Sequence, residues 1–194
     1  MQPRLSRASN KDIDRILDQM ERAFDGDAWH GPSVREQLRG VRAHYAAQRL
    51  IVDAHTIWEI TLHLEGWKKE VIRRLEGQAA GVPDKGDWPE VGTTDDNAWK
   101  FARQRLAAAH AKLLEATQKF PAHRLDEIVK DERPVAERLS VLDRQVLDDA
   151  DPFAVPDRDP ALGTGVSFYT MLMGVVQHDV YHTGQIAVLK KRIR

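Results

Sequence analysis

Val175-Val176-Gln177-His178-Asp179-Val180-Tyr181-His182-Thr183-Gly184-Gln185-Ile186 lies within a run, Phe168 to Ile193, whose spacing predicts a helix. A helix turns about 100° per residue, so residues four apart sit one above the other. With Phe168 at zero, Met171, Leu172, Val175, Ile186, Leu189 and Ile193 share an apolar sector roughly 100° wide, as a core-facing helix requires. His178 and His182 fall with that sector, not opposite it. Two imidazoles one turn apart therefore point toward the core, where each needs a polar partner or an ion.

Three further helices follow from the same periodicity. Ser9-Asn10-Lys11-Asp12 can cap a first helix running to about Asp25, with Ile13, Ile16, Leu17, Met20, Ala23 and Phe24 at helical spacing. A second is expected from His55 to Glu76, stopped by Gly77. Its buried stripe is Ile57, Ile60, Leu64, Val71, Ile72 and Leu75, flanked by Trp67, with His63 at the margin. Glu65, Lys68, Lys69, Arg73 and Arg74 are assigned to its solvated side. Thr93-Thr94-Asp95-Asp96 opens a third, Asn97 to about Phe120, whose core face is Trp99, Ala102, Leu106, Ala109, Leu113, Thr117 and Phe120.

Between these runs, Ser33 is a plausible N-cap for a short turn through Leu38, and Gly40 to Asp53 is ambiguous, read as a helical turn followed by a loop. Gly77 to Val91 is rich in Gly, Pro and Asp and reads as a long loop. Leu125 to Asp159 is the least regular part, with one short helix expected over Val135 to Leu147 before an Asp/Pro stretch. No segment alternates convincingly between apolar and polar residues, and no repeat is evident. Four long amphipathic helices with a long connection read as an all-α four-helix bundle, a fold that builds metal sites from inward-facing side chains. The 194 residues suit one domain, 1–194.

Composition narrows the chemistry. Apolar residues make up 42% and charged residues 30%, with a net charge of −1. That balance gives no general attraction to nucleic acid or to an anionic membrane. No apolar run approaches the roughly 18 residues that span a bilayer, and Met1 to Lys11 carries no apolar signal core, so a cytoplasmic protein is expected. Cysteine is absent. A metal here must be held by His, Asp, Glu or backbone oxygen, and thiol chemistry must use a thiol carried by a small molecule. Neither a phosphate-binding Gly-rich loop nor a Gly-x-Ser-x-Gly nucleophile elbow occurs.

Two readings account for the histidine pair: neutral, hydrogen-bonded core residues, or two ligands of one metal ion. A third ligand would complete a facial set with an open position, the arrangement of catalytic metal sites. His63 is the best candidate, bordering the buried stripe beside Trp67. His110, on the core face of the third helix, reads as a satisfied core or pocket histidine, with a pocket-lining role as the lesser alternative, and His55 as a helix-terminus residue near solvent. His30, His44 and His123 give no signal. Asp179 either orients a ligand histidine or pairs with an Arg or backbone group. Gln185 lines a pocket or bonds a helix neighbour, and Gly184 is expected to let another helix approach. Three imidazoles suit zinc, nickel, copper or iron.

The stretch Ala54-His55-Thr56-Ile57-Trp58-Glu59-Ile60-Thr61-Leu62-His63-Leu64-Glu65-Gly66-Trp67 resembles the second-helix signature of DinB-like proteins. His178-Asp179-Val180-Tyr181-His182-Thr183-Gly184-Gln185-Ile186 resembles their last-helix signature. Trp29 to Leu38 and the loop at Trp88-Pro89 share the likeness. The resemblance implies a four-helix bundle with a long crossover and a divalent metal, zinc or nickel, bound by His63, His178 and His182. It further implies a small-molecule substrate and, in many members, a homodimer. Relatives of this kind include bacillithiol S-transferases and mycothiol-dependent maleylpyruvate isomerases, in which the metal activates a low-molecular-weight thiol. The expectation is a metal-dependent transfer of such a thiol to an electrophile. The alternatives are a metal-dependent hydrolase and a non-catalytic, stress-linked binding protein. The loops at 77–92 and 148–163 are expected to supply selectivity.

Overall fold

A computed structural model describes residues 7–130 and 165–193. In order, the elements are α1 (Arg7–Phe24), α2 (Val34–Leu38), α3 (Ala43–Ala47), α4 (Ile57–Leu75), α5 (Asp96–Lys119), a 3-10 turn (Ala122–Arg124) and α6 (Phe168–Lys190). The described residues are thus all-α, as the periodicity predicts. An isolated antiparallel bridge between Ile128 and Ser167 forms no strand. The helix expected over Val135 to Leu147 and the loop 148–163 lie outside the described residues.

Local chemistry sets most boundaries. Thr56 caps α4 through a reciprocal box: its hydroxyl accepts from Glu59 N at 3.1 Å while Glu59 Oε2 accepts from Thr56 N at 2.6 Å. Ser33 and Glu36 repeat the arrangement at α2. Asp95 caps α5, accepting from Ala98 N at 2.7 Å. Gly77, at φ 92, ends α4 in the left-handed region that an L side chain resists. The ambiguous Gly40–Asp53 segment resolves into α3 with flanking turns. α1 departs from expectation by starting at Arg7, so Ser9 to Asp12 lie inside it. Asn10 and Lys11 are exposed there, and the first residue of a helix is the least legible part of its span.

α4 packs on α5 and α6, and α1 on the same two helices, while α2 and α3 close the end nearest the start of α4. The apolar interior falls into two clusters. One joins Ile13, Ile16 and Met20 of α1 to Val71, Leu75, Leu113, Leu172 and Val175. The other joins Ile57, Ile60 and Leu64 of α4 to Trp99, Leu106, Ile186 and Leu189. The seam between them is crossed by Glu65, Lys68 and Glu70 on α4, His110 on α5, and Asp179, His182 and Thr183 on α6, all buried. A polar layer inside an apolar core is costly unless its groups are paired, so its contents point to function.

That layer corrects one expectation. Charge places Glu65, Lys68 and Arg74 on the solvated side of α4, yet each is less than a tenth exposed. Each has a partner of opposite charge that makes burial tolerable. Lys68 pairs with Asp179, Glu65 accepts from Lys69 at 2.5 Å and from Arg105 at 3.1 Å, and Arg74 Nε donates to Glu70 at 2.9 Å. Lys69 is exposed, as expected.

Candidate metal centre

His63 comes from the middle of α4, and His178 and His182 from successive turns of α6. The structure brings together the three residues that the sequence singles out. His178 Nε2 lies 2.9 Å from His63 Nε2 and 3.1 Å from His182 Nε2, and all three donor atoms fall within 4.8 Å of one another. A tetrahedral ion with bonds of about 2.05 Å would hold its nitrogens about 3.3 Å apart. The spacing therefore suits one shared ion. His63 and His182 are buried, whereas His178, at the margin of the apolar sector, is half-buried.

The proton positions follow from the outer hydrogen bonds. His63 Nδ1 lies 2.7 Å from the main-chain carbonyl of Asp87, which can only accept, so Nδ1 carries the proton and Nε2 the lone pair. His182 Nδ1 likewise donates to Gln185 Oε1 at 2.7 Å. Two lone pairs thus face His178 Nε2 from opposite partners. One ring proton on His178 can satisfy only one of them, leaving the other contact as lone pair against lone pair. A cation at the meeting point satisfies all three nitrogens together, and the donor set present here fits one.

Electrostatics keep the rings neutral. Burial pushes the His178 imidazolium down to about 2, with the neighbouring His182, His63 and Lys68 adding to the effect. Burial, then His63, lowers His182 to about 4, against an opposing pull from Gln185 and Asp87. His63 is also lowered, chiefly by burial, despite the Asp87 carbonyl. Neutral imidazole is the form that binds metal.

The surrounding residues fix the ligands. Trp88 stacks on His63 with centroids 3.9 Å apart and planes 10° from parallel, and His55 covers its other face at 3.4 Å and 6°. Trp67 Nε1 donates to Asp87 Oδ1 at 2.7 Å. A depression of about 550 Å³, mostly apolar and lined by Ile51, His55, Ile60, Tyr181, Gln185 and Val188, reaches the residues that hold the ligands, Gln185 and His55, but none of the three histidines lines it.

No family model, curated protein or solved structure matches the chain. The site stands on its own geometry.

The remaining candidates divide. Asp179 pairs with Lys68, whose ammonium donates to both carboxylate oxygens at 2.7 and 2.6 Å, and not with an Arg or a ligand histidine. Gln185 bonds its helix neighbour His182. His55 is half-exposed at the start of α4, as expected, but is held in the Trp88 stack. Gly184 is exposed, and a Cβ there would meet nothing within 4 Å, so no helix of the described residues approaches it. His110 is buried and outside the cluster, but it is not satisfied: among the described residues neither ring nitrogen has a hydrogen-bond partner. Lys68, Asp87 and Trp88 carry structural roles around the site that the sequence reading did not assign. For Lys68 a signal exists, since it lies four residues after Leu64 and three before Val71, on the buried stripe. For Asp87 and Trp88 the signal is weaker: an indole amid polar loop residues.

Proposed function

We propose that this chain is a DinB-like metal-dependent enzyme. In this reading α1, α4, α5 and α6 form a four-helix bundle closed by a long crossover, and His63, His178 and His182 hold one divalent ion, zinc or nickel. The observation that supports it best is the convergence of three Nε2 atoms, two of them with their lone pairs aimed inward by Asp87 O and Gln185 Oε1.

Three neutral ligands leave the ion its full charge, which would favour a thiolate or a hydroxide over the neutral acid at pH 7. Among the described residues no fourth His, Asp or Glu joins the cluster. Asp179 is engaged by Lys68, and His110 stacks on Phe24 at 3.9 Å. An open position favours catalysis over a metal that only staples the helices.

The reaction we favour joins a low-molecular-weight thiol to an electrophilic small molecule. A carbon–sulfur bond forms, the leaving group departs with its electron pair, and the thiol proton passes to solvent. The chain's residues hold the ligands neutral and oriented, and the largely apolar depression beside Gln185 suits an apolar electrophile. Hydrolysis is the second reading, since the same open position accepts water.

Metal analysis of wild type against His63→Ala and His178→Ala tests the site. Wild type should hold one ion per chain and each variant less than a tenth of that. Stoichiometric metal in both variants would sink the assignment. A panel of physiological thiols with a halobimane then tests the reaction. Metal-dependent turnover with one of them supports transfer, and failure with all of them leaves hydrolysis or binding.

A further inference from the structure

His63 is the one proposed ligand that α4 contributes, and the groups that hold its ring come from a loop. Residues 77–95 have no regular secondary structure. The loop is tied near its start, where Ala80 N donates to Lys130 O at 2.8 Å and Gly81 N to Glu70 Oε1 at 2.7 Å. Its next polar ties to the site all belong to one dipeptide. Asp87 O accepts from His63 Nδ1, Asp87 Oδ1 accepts from Trp67 Nε1, and Trp88 lies flat between His63 and His55.

We propose that Asp87 and Trp88 act as a clamp on His63, so that ion binding and the closing of this loop onto α4 strengthen each other. The inference rests on the three-histidine reading and adds to it a pair of positioning residues and a loop whose hold on α4 tightens when the ion binds.

The coupling follows from what coordination does to an imidazole. An ion at Nε2 draws electron density from the ring. The electron-poor ring is then attracted more strongly to the negative face of the indole. The same withdrawal makes the Nδ1 proton more acidic and tightens its bond to the Asp87 carbonyl. Both loop contacts are therefore stronger when the ion is bound than when it is absent. By reciprocity, a loop that is held raises ion affinity by the factor by which the ion favours the held loop. His55, stacked on the far face of Trp88, keeps the indole from swinging away.

The test uses the full chain, stripped of metal and titrated with Co²⁺, whose visible absorption reports its ligand geometry. Zn²⁺ affinity is then measured in competition with a chromophoric chelator. Trp88→Leu should bind Zn²⁺ at least tenfold more weakly than wild type with an altered Co²⁺ spectrum, and Trp88→Phe, which keeps a ring, should stay within about threefold. A fall in the melting temperature of the stripped protein alone, with unchanged affinity and spectrum, would mean a purely structural role and would overturn the clamp. A second measurement needs no variant. Amide hydrogen exchange at Lys85, Gly86, Asp87 and Trp88 in wild type should slow at least fivefold on Zn²⁺ loading, and unchanged exchange would also overturn it. Wild type that takes up no ion refutes the metal site itself, and the clamp with it. Normal uptake without any effect of Trp88 refutes only the clamp.

Discussion

Lys68 Nζ and Asp179 Oδ2 meet at 2.6 Å in the core, with side chains 2% and 1% exposed. Burial holds the Asp179 carboxyl above its usual range even against this ammonium. Lys68 lies five residues beyond His63 on α4, and Asp179 immediately follows His178 on α6. The pair thus bolts together the two helices that carry the histidine cluster, at the level of the cluster. A buried ion pair adds little net stability, but it penalises every register that separates the charges.

The prediction is asymmetric. Lys68→Met alone, or Asp179→Leu alone, leaves one buried charge unpaired and should cost about 3–5 kcal/mol in urea unfolding. The double variant should recover most of that loss. Additive losses, with the double variant worse than either single one, would show that the pair is not the unit that matters.

His110 makes stability depend on pH. Its ring stacks on Phe24, and its Nε2 lies 3.7 Å from Asp25 Oδ2, too far for a hydrogen bond. Burial, aided by the charges of Lys68 and Arg35, lowers it to about 3 from an ordinary value near 6.5. Between those values the unfolded chain binds a proton that the folded chain refuses. The stability is complete above about pH 6.5 and is lost as the pH falls, by about 1.4 kcal/mol per unit for this one group. Replacing the ring by His110→Phe should flatten the pH dependence of unfolding between pH 6 and 5 by close to one proton. An unchanged slope in metal-stripped protein would show that other groups set it.

Where the chain was legible, one dominant force chose the outcome. The apolar stripes of α1, α4, α5 and α6 bury most of the residues that their 3.6-residue spacing selects, because burial of those faces outweighs competing local preferences; Ile72 is only half-buried, and Ile193 lies past the end of α6 and is half-buried. The histidines were legible for the inverse reason: imidazoles on such a stripe need partners. Lys68, Glu65 and Arg74 are not legible as buried, because charge suggests solvent and their partners Asp179, Arg105 and Glu70 include groups far away in the chain. The clamp of Asp87 on His63 depends on a main-chain carbonyl, which has no sequence signature. A core position predicts a partner for His110, and no pattern in a single sequence reveals whether one is in reach.

The start of α4 gives a local test. Thr56 and Glu59 cap each other, and Glu59 Oε1 also accepts from Arg49 Nη2 at 2.8 Å. Thr56→Ala should cost about 1 kcal/mol, while Thr56→Ser, which keeps the hydroxyl, should cost only a few tenths. Chemical unfolding separates the two. Equal losses would assign the effect to the buried methyl group and not to the cap.

Gln185 offers a test of the ligand set that leaves all three histidines in place. Its Oε1 accepts the Nδ1 proton of His182 and so keeps the Nε2 lone pair directed at the cluster. Gln185→Leu removes that acceptor. The imidazole can then place its proton on Nε2, and binding an ion must first move it. Zn²⁺ affinity should fall about 10–100-fold, the usual effect of losing a group that orients a ligand histidine. Gln185→Glu makes the acceptor anionic, raises ligand basicity and should restore or exceed the wild-type affinity. Chelator competition at pH 7 distinguishes these outcomes. If Leu and Glu at position 185 bind equally well, His182 is oriented by the helix alone, and the hydrogen bond is incidental to the site.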